Sequence, residues 1–212
     1  MNKYRITRFI LYPIIFIADF LQNNFTKYFT LMNVGPVSTK NWSDLISKYF
    51  TKKDYILDFG CGVGFFSKHF HHKKYIGIDV NKEFILNAKK INKKYKFLTF
   101  EDKNILKYKN IINSIYISNV LHHLSDDDTK KIFNYFRNHT KKKSKILIIE
   151  PLMPTNFFSL QFFLKVLDIG NFIRTKKQYL KLINKNVKIS GCYVKKFGIS
   201  SAIIFYGHLI TK

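Results

Sequence analysis

The sequence predicts an α/β fold: a seven-stranded, mostly parallel sheet with helices on both faces, an antiparallel last strand and an N-terminal helical extension. Three observations predict it. Between residues 55 and 151, short apolar runs alternate with polar, helix-like segments at the spacing of strand–helix units. The first apolar run ends in the glycine-rich stretch Gly60-Cys61-Gly62-Val63-Gly64. After residue 185 the alternation gives way to two consecutive strand-like runs, as at the edge of many α/β sheets.

The elements follow in order. Residues 1–50 read as helical, broken near Asn33-Val34-Gly35-Pro36, and form an extension ahead of a domain over 51–212. Tyr55–Phe59 is the first strand, and Phe65–His72 is expected to be the helix behind the glycines. Tyr75–Asp79 and Tyr95–Glu101 are the next strands, with a helix over Lys82–Ile91 between them. Ile111–Ser118 is the fourth strand. Ser125 with three following aspartates marks a helix start, because acids favour the positive end of the helix dipole. Lys145–Ile149 is the fifth strand, closed by Glu150-Pro151. A helical insertion occupies about 155–185, with Phe157–Ile169 apolar and Lys176–Asn184 a further helix. Val187–Phe197 and Ser200–Ile210 are the last strands, joined at Gly198.

The 212 residues suit one domain, and 46% hydrophobic residues exclude a disordered chain. The net charge of +24 would attract nucleic acid, anionic lipid or an acidic substrate. Of 37 basic residues, however, only Arg5, Arg8, Arg137 and Arg174 are arginine. A surface selected to grip phosphate favours the planar fork of arginine, so AT-rich codon usage is the main reading of the lysine excess. Cys61 and Cys192 supply neither a disulfide framework nor zinc spacing, which fits a reducing cytoplasm. The apolar run Phe9–Leu21 is too short for a confident membrane span. It reads as a helix packed on the domain, or as an interfacial helix on the inner face of an anionic membrane.

The strongest chemical signal is Asp58-Phe59-Gly60-Cys61-Gly62-Val63-Gly64 at the end of a buried strand. Dinucleotide enzymes show G-x-G-x-x-G there, so that pyrophosphate sits on a helix N-terminus. This chain has G-x-G-x-G with a carboxylate two residues ahead, which would repel pyrophosphate. A carboxylate suits the amino group and sulfonium cation of S-adenosylmethionine (SAM) instead. Asp79 ends the second strand 19 residues after Gly60, where an acid can accept hydrogen bonds from both ribose hydroxyls. Helix capping is the alternative role for Asp79.

These residues resemble the class I SAM-dependent methyltransferases, and among them the group similar to ubiquinone/menaquinone C-methyltransferases. The likeness covers about residues 50–151 and implies a Rossmann-like core. It implies that Asp58, Gly60, Cys61, Gly62 and Gly64 form the SAM loop, and that Asp79 and the adjoining Val80 meet the ribose side. It places Asp102 and Lys103 near the adenine, with Asp102 preferred to Glu101. Ser118 and Asn119 follow the fourth strand on the cofactor side, and Leu121-His122-His123 lines the methyl-transfer pocket. Asp168-Ile169-Gly170 and the segment from Phe172 to Leu180 match the same group more weakly. An acid of the fourth-strand region is missing, replaced by Asn110 and Asn113.

Methyl transfer from a sulfonium is an in-line displacement that requires alignment, exclusion of water and, for some acceptors, removal of a proton. His122 and His123 are the candidate bases, since imidazole titrates near working pH. Glu150, at the carboxyl end of a strand, is a third candidate, with a structural hydrogen bond as its other reading. Arg174 and Tyr179 read as a solvated helix face, with acceptor contact as the alternative. His69, His71 and His72 read as the exposed end of a helix, and no metal site is expected. The chain lacks the Asn/Asp-Pro-Pro-Tyr/Phe segment of many nucleic-acid amine methyltransferases and the Pro-Cys pair of cytosine C5 enzymes. The expected acceptor is a small molecule or lipid intermediate, covered by residues 1–50 and by Phe157, Phe158, Phe162 and Phe163. The alternatives are RNA or protein methylation through the basic surface, and a non-catalytic partner subunit that keeps the fold.

Overall fold

The computed structural model describes residues 36–153, 172–197 and 200–211. The apolar run Phe9–Leu21, the Phe157–Ile169 helix, the Asp168–Gly170 match and the Gly198 junction lie outside the described residues.

Helix α1 (Pro36–Tyr49) opens at a proline, whose fixed φ and missing N–H suit the first helical turn. Strands β1 (Ile56–Phe59), β2 (Tyr75–Asp79) and β3 (Lys96–Thr99) alternate with helix α2 (Lys82–Ile91). Then come β4 (Ser114–Ser118), α3 (Asp126–His139), β5 (Lys145–Pro151), α4 (Lys176–Ile183), β6 (Val187–Phe197) and β7 (Ser200–Leu209). The sheet order is β3-β2-β1-β4-β5-β7-β6. Pairing is parallel from β3 through β5, and β7 runs antiparallel to both of its neighbours. The last strand is therefore the reversed one, as the sequence predicts.

Both faces of the sheet are buried, which is why β1, β4 and β5 are buried along nearly their whole length, with mostly apolar residues on both faces rather than an alternating pattern. Leu57, Ile115, Ile117, Ile146 and Ile148 face one layer, closed by Phe133 and Phe136 of α3 and Tyr179 and Ile183 of α4. Ile56, Tyr116, Leu147 and Ile149 face the other, closed by Trp42, Leu45 and Ile46 of α1 and by Ile85 and Ala88 of α2. Each such buried side chain contributes roughly 1.5–3 kcal/mol.

The expected helix over Phe65–His72 is not an α-helix. The segment makes one 3-10 turn at Ser67–His69, and Phe70 then turns to extended backbone. Lys68, His69, His71, His72, Lys73 and Lys74 follow one another with no acid among them, so no i,i+4 ion pair supports a longer helix. The fourth strand also starts three residues later than the sequence suggests. Ile111 and Ile112 both donate their N–H groups to Tyr108 O, which holds them in a turn, although Ile112 is fully buried.

Candidate cofactor and methyl-transfer site

The carboxyl ends of β1, β2, β4 and β5 lie along one edge of the sheet, where open α/β sheets bind ligands. Beyond β1 the chain reverses over three glycines at positive φ: Gly60 at 73°, Gly62 at 54° and Gly64 at 76°. L-residues rarely adopt this region, which explains the glycine at every second position. Gly60 and Cys61 donate to Ile78 O, and Gly64 donates to Cys61 O, so the bend is tied to β2. A side chain at Gly60 would strike Val120, and one at Gly64 would strike Phe97. At Gly62 a Cβ would meet nothing within 4 Å. The first and third glycines thus fit the protein to itself, and the middle one faces open space.

Two carboxylates flank this bend. Asp58 is buried in β1 and accepts a hydrogen bond from the Tyr75 hydroxyl at 2.5 Å. Burial pushes its pKa up to about 7, with Asp79 adding to the rise and the Tyr75 bond opposing it. Asp79 is half-buried at the end of β2; its Oδ2 accepts from Gly62 N–H at 2.9 Å and its Oδ1 from Asn81 N–H at 2.8 Å. Asn81, not Asp79, caps helix α2 by accepting from Glu83 and Phe84 N–H, which removes capping as the role of Asp79. Burial raises the Cys61 thiol well above its usual range, helped by Asp58 and Asp79, so Cys61 is no nucleophile.

Next to Asp79, Val80 is 74% exposed, unusual for an aliphatic residue at a strand end. It borders a shallow pocket of about 150 Å³ that is also lined by Lys82, Thr99, Phe100 and Glu101. Asp102 lies beside these residues and caps the following 3-10 turn by accepting from Asn104 N–H, and Lys103 is exposed. The sequence reading named Asp102 and Lys103 but not Phe100, which only the pocket reveals.

Beyond β4, Ser118 is half-buried and Asn119 takes φ 57°, one of the two left-handed non-glycine residues among those described. This sharp bend, held by Asn119 N–H to Ile149 O, turns the chain into the 3-10 turn Leu121–His123. Glu150, fully buried at the end of β5, grips that turn. Its carboxylate accepts from the N–H groups of Val120, Leu121 and His122 and lies 2.9 Å from His122 Nδ1. His122 is buried, whereas His123 is exposed, with the two rings 4.0 Å apart.

Arg174 and Tyr179 correct the sequence reading, since neither is on a solvated face. Arg174 is 6% exposed and donates to Leu121 O, Leu124 O, Phe172 O and the Asp126 carboxylate. Tyr179 is fully buried in the core. Sequence reasoning missed the Arg174 clamp because its partners lie about fifty positions upstream. His69 is also half-buried rather than exposed, and burial lowers its imidazole pKa. Among the described residues, no three His, Cys, Asp or Glu side chains group as metal ligands.

A family model of the methyltransferase domain matches residues 50–186, well over half of the chain. The chain belongs to that family. It is a class I SAM-dependent methyltransferase by membership and fold, and S-adenosylmethionine is the cofactor that goes with the family. No curated protein sequence matches this methyltransferase. Its fold is similar to that of a SAM-dependent methyltransferase from Methanosarcina mazei, at 17% identity and a TM-score of 0.62, covering 85% of this chain and 100% of that one. It is also similar to the N-methyltransferase NodS from Bradyrhizobium japonicum WM9, solved with S-adenosylhomocysteine, at 11% identity, TM-score 0.64 and coverage of 91% and 96%. A third likeness is to magnesium protoporphyrin IX methyltransferase from Synechocystis PCC 6803, at 12% identity, TM-score 0.58 and coverage of 81% and 82%. Among the described residues no helix of this methyltransferase is long and apolar enough to cross a membrane.

Proposed function

We propose that this methyltransferase moves the methyl group of SAM to a small-molecule or lipid-like acceptor. The observation that carries the reading is the open Gly62 bend set between the carboxylates of Asp58 and Asp79, with the Val80 pocket beside it.

The residues present fit the cofactor chemically. Each oxygen of Asp79 accepts one backbone N–H, and a carboxylate oxygen has a second lone pair, so both stay able to accept a ribose hydroxyl. Asp58 supplies the negative charge for the cofactor's cationic end. Gly60, Cys61, Gly62 and Gly64 let the backbone approach closely. Val80 and Phe100 offer apolar surface to the adenine, with Asp102 and Lys103 at its polar edge. Ser118 and Asn119 close the β4 side. When bound, SAM supplies an already activated methyl group, so the protein need only align the acceptor and exclude water.

In this reading Glu150 is a positioning residue rather than a catalytic one, because its carboxylate is spent on the Val120–His122 backbone and on His122 Nδ1. His122 fixes the turn, and His123, exposed on the same turn, is the group that meets an acceptor proton. NodS and the mitomycin 7-O-methyltransferase MmcR, both similar in fold, carry names that state methyl transfer, and MmcR's names a small molecule.

The test is a transfer assay with methyl-labelled SAM and fractionated cell extract. Label in the organic-extractable or small-molecule fraction is expected. Label confined to RNA or to protein would overturn the acceptor class.

A further inference from the structure

We propose that the edge of the sheet opposite the cofactor site is a docking surface for an anionic membrane. The parallel strands and the reversed β7 put every loop that enters β1 to β6 on one edge. The first three strands are each entered through a lysine pair: Lys52–Lys53, Lys73–Lys74 and Lys93–Lys94. Lys109 precedes β4, Lys141 to Lys143 precede β5, and Lys185 precedes β6. All of these are exposed except the half-buried Lys74. Strands about 4.8 Å apart make this a lysine rim roughly 29 Å wide. The loops stay together because they are bonded to one another: Asn113 N–H to Tyr55 O, Lys141 N–H to Ile112 O and Ile210 N–H to Asn186 O.

Among the described residues the acids lie mainly toward the other edge, with Asp44 exposed within α1. Asp79, Glu83, Asp102 and Asp126 to Asp128 all follow the carboxyl ends of strands or open the helices behind them. On the lysine rim the acid is Asp54, which is buried and bonded to Lys145. Codon usage raises the number of lysines but gives no reason for this separation. The rim therefore carries a concentrated positive field.

Lipid is favoured over nucleic acid by the company the lysines keep. Ile91, between Lys90 and Lys93, is 69% exposed, and Ile111, next to Lys109 and Asn110, is 42% exposed. Basic residues interleaved with protruding aliphatics suit insertion at the headgroup boundary. The large hydrophobic aromatics exposed among the described residues, Phe84 and Phe172, belong to the cofactor edge, and the rim tyrosines Tyr55, Tyr95 and Tyr108 are half-buried, so the rim offers bases little open stacking surface beyond the His71–His72 pair. Among the described residues the rim shows no free arginine fork, since Arg137 is held by Ile210 O, Asn134 and Asn186. Docking by this edge leaves the cofactor edge facing the aqueous phase, which suits the small-molecule member of the acceptor class proposed above.

The test is sedimentation of the full chain with vesicles of phosphatidylglycerol in phosphatidylcholine. One variant carries Lys93→Glu, Lys94→Glu, Lys142→Glu and Lys143→Glu. A control carries the same charge change at the opposite edge, as Lys176→Glu, Lys177→Glu, Lys195→Glu and Lys196→Glu. The rim variant is expected to bind at least about a hundredfold more weakly than wild type, and the control within roughly threefold of it. Ile91→Asn with Ile111→Asn is expected to weaken binding at unchanged charge. Equal loss in both charge variants would reduce the effect to net charge, and equal retention would assign it to residues 1–35; either result overturns the proposal. So does unchanged binding in the isoleucine variant, or tighter binding of polyuridylate than of vesicles at equal phosphate.

Discussion

Glu150 Oε2 lies 2.9 Å from Nδ1 of His122, and the same fully buried carboxylate accepts three backbone N–H groups from the turn that carries both histidines. One side chain at the end of β5 thus fixes the loop at the end of β4. Replacing it with glutamine presents an N–H to donors that need an acceptor. Glu150→Gln is expected to lower the unfolding free energy by about 1–3 kcal/mol in urea titrations. Unchanged stability would mean that the turn holds itself.

Asp58 should make the protein respond to pH in two opposite ways. Its pKa is 3.8 when unfolded and about 7 when folded, so between these values the folded state holds an extra proton. Its contribution to stability is therefore present at low pH, falls as pH rises from about 4 to about 7, and is flat above that. Melting curves of wild type and Asp58→Asn across this window isolate this contribution: stability relative to the variant should fall with pH by up to about one proton's worth of slope, and parallel curves would contradict it. Cofactor binding should move the other way, because a cation favours the ionised carboxylate. SAM affinity should rise between pH 6 and pH 8 in wild type and change less in Asp58→Asn, as read by calorimetry.

Gly62 and Gly64 should separate ligand fit from protein fit. At Gly64 an added Cβ would lie 2.5 Å from Phe97 Cζ at a φ of 76°. Gly64→Ala is expected to cost about 2–5 kcal/mol of stability, from backbone strain and overpacking together. At Gly62 the space is open, so Gly62→Ala should cost only about 1–2 kcal/mol. Its methyl group would project into the cofactor space, and S-adenosylhomocysteine affinity should fall more than its stability does. Wild-type affinity in Gly62→Ala would remove the middle glycine from the site.

Much of this was legible in the sequence because its causes are local. Glycines at alternate positions announce left-handed backbone, and apolar runs closed by polar residues announce buried strands, so β1, β2, β4 and β5 are placed to within a few residues. The antiparallel β7 follows from two strand-like runs in succession. What the sequence hid is non-local. Arg174 reads as a solvated residue until Asp126 and Leu121 O are seen beside it. The 3-10 turn at Ser67–His69 reads as a helix, since a pattern of apolar residues does not register the cost of six neighbouring cationic or titratable side chains. Tyr75 gives no sign at the sequence level that its hydroxyl reaches Asp58.

The central claim is that the Gly62 bend with Asp79 holds the sulfur nucleoside. Calorimetric titration of wild type and Asp79→Ala with S-adenosylhomocysteine tests it most directly. Saturable binding near one equivalent is predicted for wild type, weakened about tenfold to a hundredfold in the variant as hydrogen bonds to a charged acceptor are lost. Absence of binding in wild type, or equal affinity in the two proteins, would contradict it.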